Sequence, residues 1–166
     1  MSFDLSVIPN KNIVLAVTGG IAAYKSAILV RRLKDAGFNV RVVMTQGAQA
    51  FITPLTFQAL SGNPVHTELL NPEAEAGMGH IELARWADLL LVAPASCDTL
   101  AKFAAGLADD LLSTLYLATK SPVWVAPAMN QQMWAAKATQ RNLNTLVEDG
   151  VHVIMPDSGS QACGDV

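Results

Sequence analysis

Five short apolar runs, spaced by stretches of helical periodicity, constrain this chain more than anything else in it. The runs are Ile13–Thr18, Asn39–Met44, Leu89–Ala93, Val123–Ala126 and Val151–Met155. They are β-branched or leucine-rich and end at Gly, Pro or Ser/Thr signals, as strands buried on both faces do. Between the first two, Ala22–Ala36 carries apolar residues near Ala23, Ala27, Val30 and Leu33, and Gly37 follows as a helix C′ residue. Thr53 and Pro54 read as a cap and a first helical residue, with Gly62 closing that helix. Thr99–Ala105 and Leu111–Ala118 are divided by Gly106, and Ala138–Asp149 ends at Gly150. Such alternation specifies a parallel sheet covered on both faces, a doubly wound α/β domain. Two segments break the rhythm: Asn63–Gly79 reads as a long loop, and Pro156–Val166 carries no element.

The 166 residues suit one domain with one core, and no repeat, low-complexity tract or linker divides them. Hydrophobic residues make up 51% and charged residues 15%, which excludes a disordered chain. With 11 Lys+Arg against 14 Asp+Glu the net charge is −3, so no nucleic-acid footprint is expected. The apolar runs fall far short of the ~20 residues of a membrane span. Met1–Asn10 lacks the basic cluster of a signal peptide, and Cys97 and Cys163 cannot make a disulfide framework. A cytoplasmic chain with free thiols is expected, its high apolar content leaving room for a buried subunit interface. His66, His80 and His152 share no metal-ligand spacing with one another or with a cysteine, so no metal is expected.

Three turns at the ends of strands carry chemistry-bearing residues. Thr18-Gly19-Gly20-Ile21-Ala22 follows the first strand. It is either a tight turn alone or a cradle of N–H groups facing a phosphate. It matches neither G-x-G-x-x-G nor a Walker loop, and the second strand ends in Met44-Thr45 rather than a ribose-binding carboxylate. A monophosphate fits that pattern better than a dinucleotide. The Pro94–Thr99 turn can approach a flat ring, or Asp98 or Thr99 can simply cap the next helix. Asn130 can bind a carboxylate or an amide, or cap a helix in its turn. Taken alone, His80 opens a helix as an ordinary surface or capping residue. Cys97 reads as a packed thiol, while Cys163 sits in a glycine-flanked segment able to fold over a ligand.

The Gly19–Lys25 turn, the His80-Ile81-Glu82-Leu83 tetrad, Pro94–Thr99, Pro127–Trp134 and Ala162-Cys163-Gly164-Asp165 occur in that order across Lys11–Val166. In this combination the chain resembles the flavin-dependent cysteine decarboxylases, most closely the phosphopantothenoylcysteine decarboxylase domains of bifunctional coenzyme A biosynthesis proteins. The resemblance implies a flavodoxin-like, three-layer α/β/α domain over residues 1–166, binding FMN between the subunits of a trimer or a dodecamer of trimers. It implies cofactor contacts from Gly19, Gly20, Ile21, Val43, Met44, Thr45, Ser96, Cys97, Asp98, Thr99 and Ala128. Asp98 stands where the family usually has Asn.

Substrate contacts are implied for Met129, Asn130, Ser160, Gln161 and Ala162. His80 is implied as the base for the substrate thiol, Asn130 as the holder of the carboxylate, and Cys163 as proton donor to an enethiol intermediate. The reaction implied is decarboxylation of 4′-phosphopantothenoylcysteine to 4′-phosphopantetheine. The alternatives are a decarboxylase of C-terminal peptidyl cysteine and a non-catalytic regulatory subunit that keeps the flavin fold. Relatives continue past this point with the rest of a flap and, in bifunctional forms, a synthetase domain, so the chain is expected to be the decarboxylase part of a longer protein.

Overall fold

The structure, a computed structural model, describes residues 4–8, 11–73 and 78–156. Five strands form one parallel sheet: β1 (Asn12–Val17), β2 (Asn39–Met44), β3 (Leu89–Ala95), β4 (Val123–Pro127) and β5 (His152–Val153). Their order is β2-β1-β3-β4-β5. Register is pinned by pairs such as Ile13↔Val40 and Ile13↔Leu89. This is the flavodoxin-like strand order, and its direction reverses between β1 and β3. Ligands of open α/β sheets bind at the carboxyl edge of such a switch point.

Both faces of the sheet are covered, which gives the three-layer α/β/α domain expected. Among the described residues, α1 (Ala23–Asp35) and α2 (Pro54–Ser61) pack on one face. On the other lie α3 (His80–Trp86), α4 (Cys97–Ala105), α5 (Leu111–Ala118), α6 (Gln131–Ala135) and α7 (Lys137–Glu148). Ile13, Leu15, Leu89 and Leu91 feed the first core, and Val14, Leu90, Val92 and Val125 the second, all essentially inaccessible. Each fully buried large side chain contributes about 1.5–3 kcal/mol. The α4–α5 break at Gly106 is a left-handed C-cap with φ +70°, a conformation that costs glycine nothing.

Several boundaries differ from the sequence reading. β3 runs on to Ala95, because Ala128 N–H donates to the Ala95 carbonyl across a register shift after Val92. β5 contracts to His152–Val153. α4 starts at Cys97, so its cap is Ser96 and not Asp98 or Thr99. The five-residue α6 has no range in the sequence reading, which offers only Asn130 as the possible cap of a helix there. The Asn63–Gly79 segment is not wholly a loop either: His66 forms a single parallel bridge with Val43 on the outer edge of β2. His66 N–H donates to Val42 O and its own carbonyl accepts from Met44 N–H, both at 2.9 Å.

Candidate active site

The carboxyl ends of β1, β2, β3 and β4 deliver four turns to one edge of the sheet. In the first, the N–H groups of Gly19, Gly20, Ile21 and Ala22 have no acceptor among the described residues. They stand at the positive end of the thirteen-residue α1. A Cβ on Gly19 would lie 3.1 Å from the Gly47 carbonyl carbon, so the β1 and β2 turns touch through backbone. A Cβ on Gly20 would meet nothing within 4 Å.

In the second turn, Val43 and Met44 bury their side chains in the two cores, which leaves them only backbone to offer a ligand. Thr45 is different. Its N–H donates to Val17 O at 3.1 Å, and its Oγ1 accepts from Ala48 N–H at 3.2 Å, leaving the hydroxyl proton to give.

The third turn opens α4. Ser96 Oγ accepts from Thr99 N–H at 3.2 Å and donates to Thr99 Oγ1 at 3.0 Å. The N–H groups of Cys97 and Asp98 have no acceptor among the described residues, so a second set of free donors faces the same edge. Cys97 Sγ sits 3.4 Å from Thr139 Oγ1 on α7, a packed, half-buried thiol. Asp98 is exposed, 3.7 Å from Lys102, whose ammonium also lies 3.3 Å from Asp109 and 3.8 Å from Asp110.

In the fourth turn, Asn130 caps α6, its Oδ1 accepting from Met133 N–H at 2.8 Å. The capping reading of Asn130 is the one the structure shows. The cap fixes the amide so that its two Nδ2 protons, without an acceptor among the described residues, remain to donate. Met129, half-buried, packs against the core beside it. Ala128 is fixed through its N–H to Ala95 O at 3.1 Å.

His80 begins α3, behind a Gly79 N-cap. That helix runs antiparallel to the strands. Its far end is tied to the amino edge of β1, where Asn12 Nδ2 donates to Trp86 O and Asn12 N–H donates to Asp88 Oδ2. His80 stands at the opposite end of that seven-residue helix from Trp86. Ser160, Gln161, Ala162 and Cys163 lie outside the described residues. Among the described residues no three His, Cys, Asp or Glu side chains gather as a metal set, and no helix is long and apolar enough to cross a membrane.

The model of the flavoprotein family matches residues 4–166. The chain belongs to the flavoprotein family. This flavoprotein is 62% identical over 156 residues to the coenzyme A biosynthesis bifunctional protein CoaBC of Escherichia coli K12, a match covering 94% of the chain and 38% of that protein. Its identity to CoaBC of Bacillus subtilis is 47% over 157 residues, 95% of the chain and 39% of the relative. The chain thus spans about two fifths of the length of the curated relatives it matches.

Among solved structures it resembles the FMN-dependent cysteine decarboxylase SpaF (TM-score 0.83, 36% identity, covering 89% of this chain and 85% of that one). It also resembles a PPC decarboxylase mutant complexed with pantothenoylaminoethenethiol (TM-score 0.79, 34% identity, 95% and 88%).

The flavoprotein's edge also contains residues that sequence reasoning missed. Gly47 had no strand or motif to mark it. Thr18 enters the sequence reading only as the end of the first strand run and the head of the Gly19-Gly20 turn, and Ser26 is not singled out there. A lone hydroxyl at a helical position between Ala23 and Val30 was the available signal.

Proposed function

We propose that this flavoprotein binds FMN at the carboxyl edge of its sheet and decarboxylates 4′-phosphopantothenoylcysteine to 4′-phosphopantetheine in coenzyme A biosynthesis. The observation that carries the reading is the meeting, at one edge, of two sets of unpaired N–H groups with a capped but still donating Asn130. One set, Gly19–Ala22, suits an anion; the other, Cys97 and Asp98, suits the carbonyls of a flat ring. The residues present therefore fit a flavin phosphate, with Thr45 adding a hydroxyl donor. When bound, FMN supplies a reversible two-electron oxidation of the cysteinyl unit, which turns its carboxylate into departing CO₂.

The chain's own residues do the rest. His80 takes the substrate thiol proton. Asn130 orients the carboxylate through its Nδ2 protons without adding charge. Cys163 returns a proton to the enethiol carbon after CO₂ has left. The substrate and product carry the same oxidation state apart from the lost CO₂.

Assembly as a homo-oligomer, a trimer or a dodecamer of trimers, completes the site. It is supported by the apolar surface at the start of α1, where Ile21 just before the helix and Tyr24 and Ile28 on it are each at least half exposed.

The test is to purify the chain, reconstitute it with FMN, record the visible spectrum and measure CO₂ release from phosphopantothenoylcysteine. A yellow protein that releases CO₂ is the expected result. A chain that takes up no flavin overturns the cofactor assignment. Flavin uptake with turnover only of a peptide ending in cysteine overturns the substrate.

A further inference from the structure

We propose that Thr18 and Ser26 are positioning residues that hold the phosphate-facing turn of β1 and the ring-facing turn of β3 at a fixed separation. The inference rests on the flavin reading above. Regular pairing of β1 with β3 ends at Ala16↔Val92. Two residues further on, β3 carries Pro94, which has no N–H to continue a ladder, and its register against β4 shifts between Val92 and Ala95. This is where the strand must present its turn to the ligand, and it is where the regular ladder ends, with one long backbone bond from Thr18 N–H to Pro94 O beyond it.

Two buried hydroxyls replace the missing ladder. Thr18 Oγ1 donates to Pro94 O at 2.6 Å and accepts from Ser96 N–H at 2.8 Å, while Thr18 N–H also reaches Pro94 O at 3.3 Å. Ser26, at the end of the first turn of α1, donates through Oγ to Ala93 O at 2.7 Å. Thr18 is 1% exposed and Ser26 2%, so neither hydroxyl has water as an alternative partner.

Thr18 is the residue immediately before Gly19, and Ser96 is the cap that opens α4. One hydroxyl therefore joins the donor set at the head of α1 directly to the donor set at the head of α4. A ligand gripped at both ends gains from that fixed spacing, as any two-point contact does. A ligand gripped at one end gains nothing from it. FMN and riboflavin differ in just this respect, since riboflavin lacks the phosphate.

The experiment compares FMN and riboflavin binding to the wild-type chain, Thr18→Val, Thr18→Ser and Ser26→Ala, with far-UV circular dichroism to establish that each is folded. Thr18→Val is expected to weaken FMN by about tenfold or more, since a buried donor and acceptor lose their partner. Riboflavin should weaken much less, so the preference for FMN over riboflavin shrinks. Thr18→Ser should restore both affinity and preference.

A folded Thr18→Val that keeps wild-type FMN affinity, or that loses FMN and riboflavin equally, overturns the proposal. Should Thr18→Val not fold, Ser26→Ala decides. It is expected to reduce the FMN preference in the same sense, and an unchanged preference overturns the inference. A wild-type chain that binds neither flavin overturns the flavin reading and this proposal together. Wild-type binding with unaffected variants overturns this proposal alone.

Discussion

Gly19 and Gly47 bring the turns after β1 and β2 into backbone contact: a Cβ built on Gly19 would lie 3.1 Å from the Gly47 carbonyl carbon and 3.2 Å from its Cα. Backbone on the far side cannot swing away as a side-chain tip does. Gly19→Ala should therefore push the turns apart and cost about 1–3 kcal/mol of stability, as overpacking does. Gly20 is the contrast, because its Cβ would meet nothing within 4 Å. Gly20→Ala should leave the melting temperature within a degree or two of wild type yet weaken FMN binding, by placing a methyl among the free N–H groups. Thermal melts paired with flavin titrations check both. A Gly20→Ala chain that binds FMN normally removes Gly20 from the cradle.

Asn130 caps α6 with one end of its amide and is proposed to hold the substrate with the other, and substitution separates the two. Asn130→Asp keeps an oxygen for Met133 N–H and so keeps the cap of α6. It loses both Nδ2 donors and sets a negative charge where a substrate carboxylate is to sit. Its melting temperature should match wild type while decarboxylation falls by about a hundredfold or more. Asn130→Ala should lose the activity and, in addition, about 1 kcal/mol from the missing cap. Wild-type turnover by Asn130→Asp would show that the residue only caps.

Much of this was legible in the sequence, and the pattern of what was not has physical causes. Runs such as Leu89–Ala93 announce themselves because a strand buried on both faces must be apolar throughout. The cap of α4 was misread because Ser96, Asp98 and Thr99 are all competent caps within four residues. Only the extension of β3 to Ala95 selects Ser96. His66 was missed as a bridging residue because one paired residue has no periodicity to detect. Thr18 and Ser26 carry no mark in the sequence of what they bond, because their partners are carbonyls nearly seventy or more residues away in the chain. Long-range hydrogen bonds that replace a ladder leave no local trace.

His66 makes folding sensitive to acid. Its side chain is buried, Nε2 has no hydrogen-bond partner among the described residues, and the same holds for the neighbouring Arg41 Nε. Burial first, and then the Arg41 charge, hold the imidazole below its ordinary value of 6.5. Since the folded-state value is depressed, the unfolded chain binds the proton more readily. The stability is fully present above about pH 6.5, falls as pH drops through that value, and levels off below the folded-state value. The slope for one such group is at most about 1.4 kcal/mol per pH unit. Urea melts of the wild type and His66→Gln between pH 8 and pH 5 should show the variant losing less stability on acidification. Parallel losses would place the acid sensitivity elsewhere.

Lys102 sits among three carboxylates, 3.3 Å from Asp109, 3.7 Å from Asp98 and 3.8 Å from Asp110. Burial works against its charge, but the hydrogen bond to Asp109 and the charges of Asp110 and Asp98 outweigh it and hold the ammonium above the usual lysine range. Asp98 and Asp109 are largely in solvent, so the attraction is screened and its contribution to stability is modest. The consequence for the ligand is larger, because Asp98 stands at the head of α4 beside the free N–H groups. Removing the cation leaves three uncompensated carboxylates near an edge that is to receive a phosphate. Lys102→Met should lower both the melting temperature and FMN affinity at about 20 mM salt, and both deficits should shrink at about 500 mM, where charges are screened within a few ångströms. A deficit that persists unchanged at high salt would mean that Lys102 acts through the packing of its methylene stem rather than through its charge.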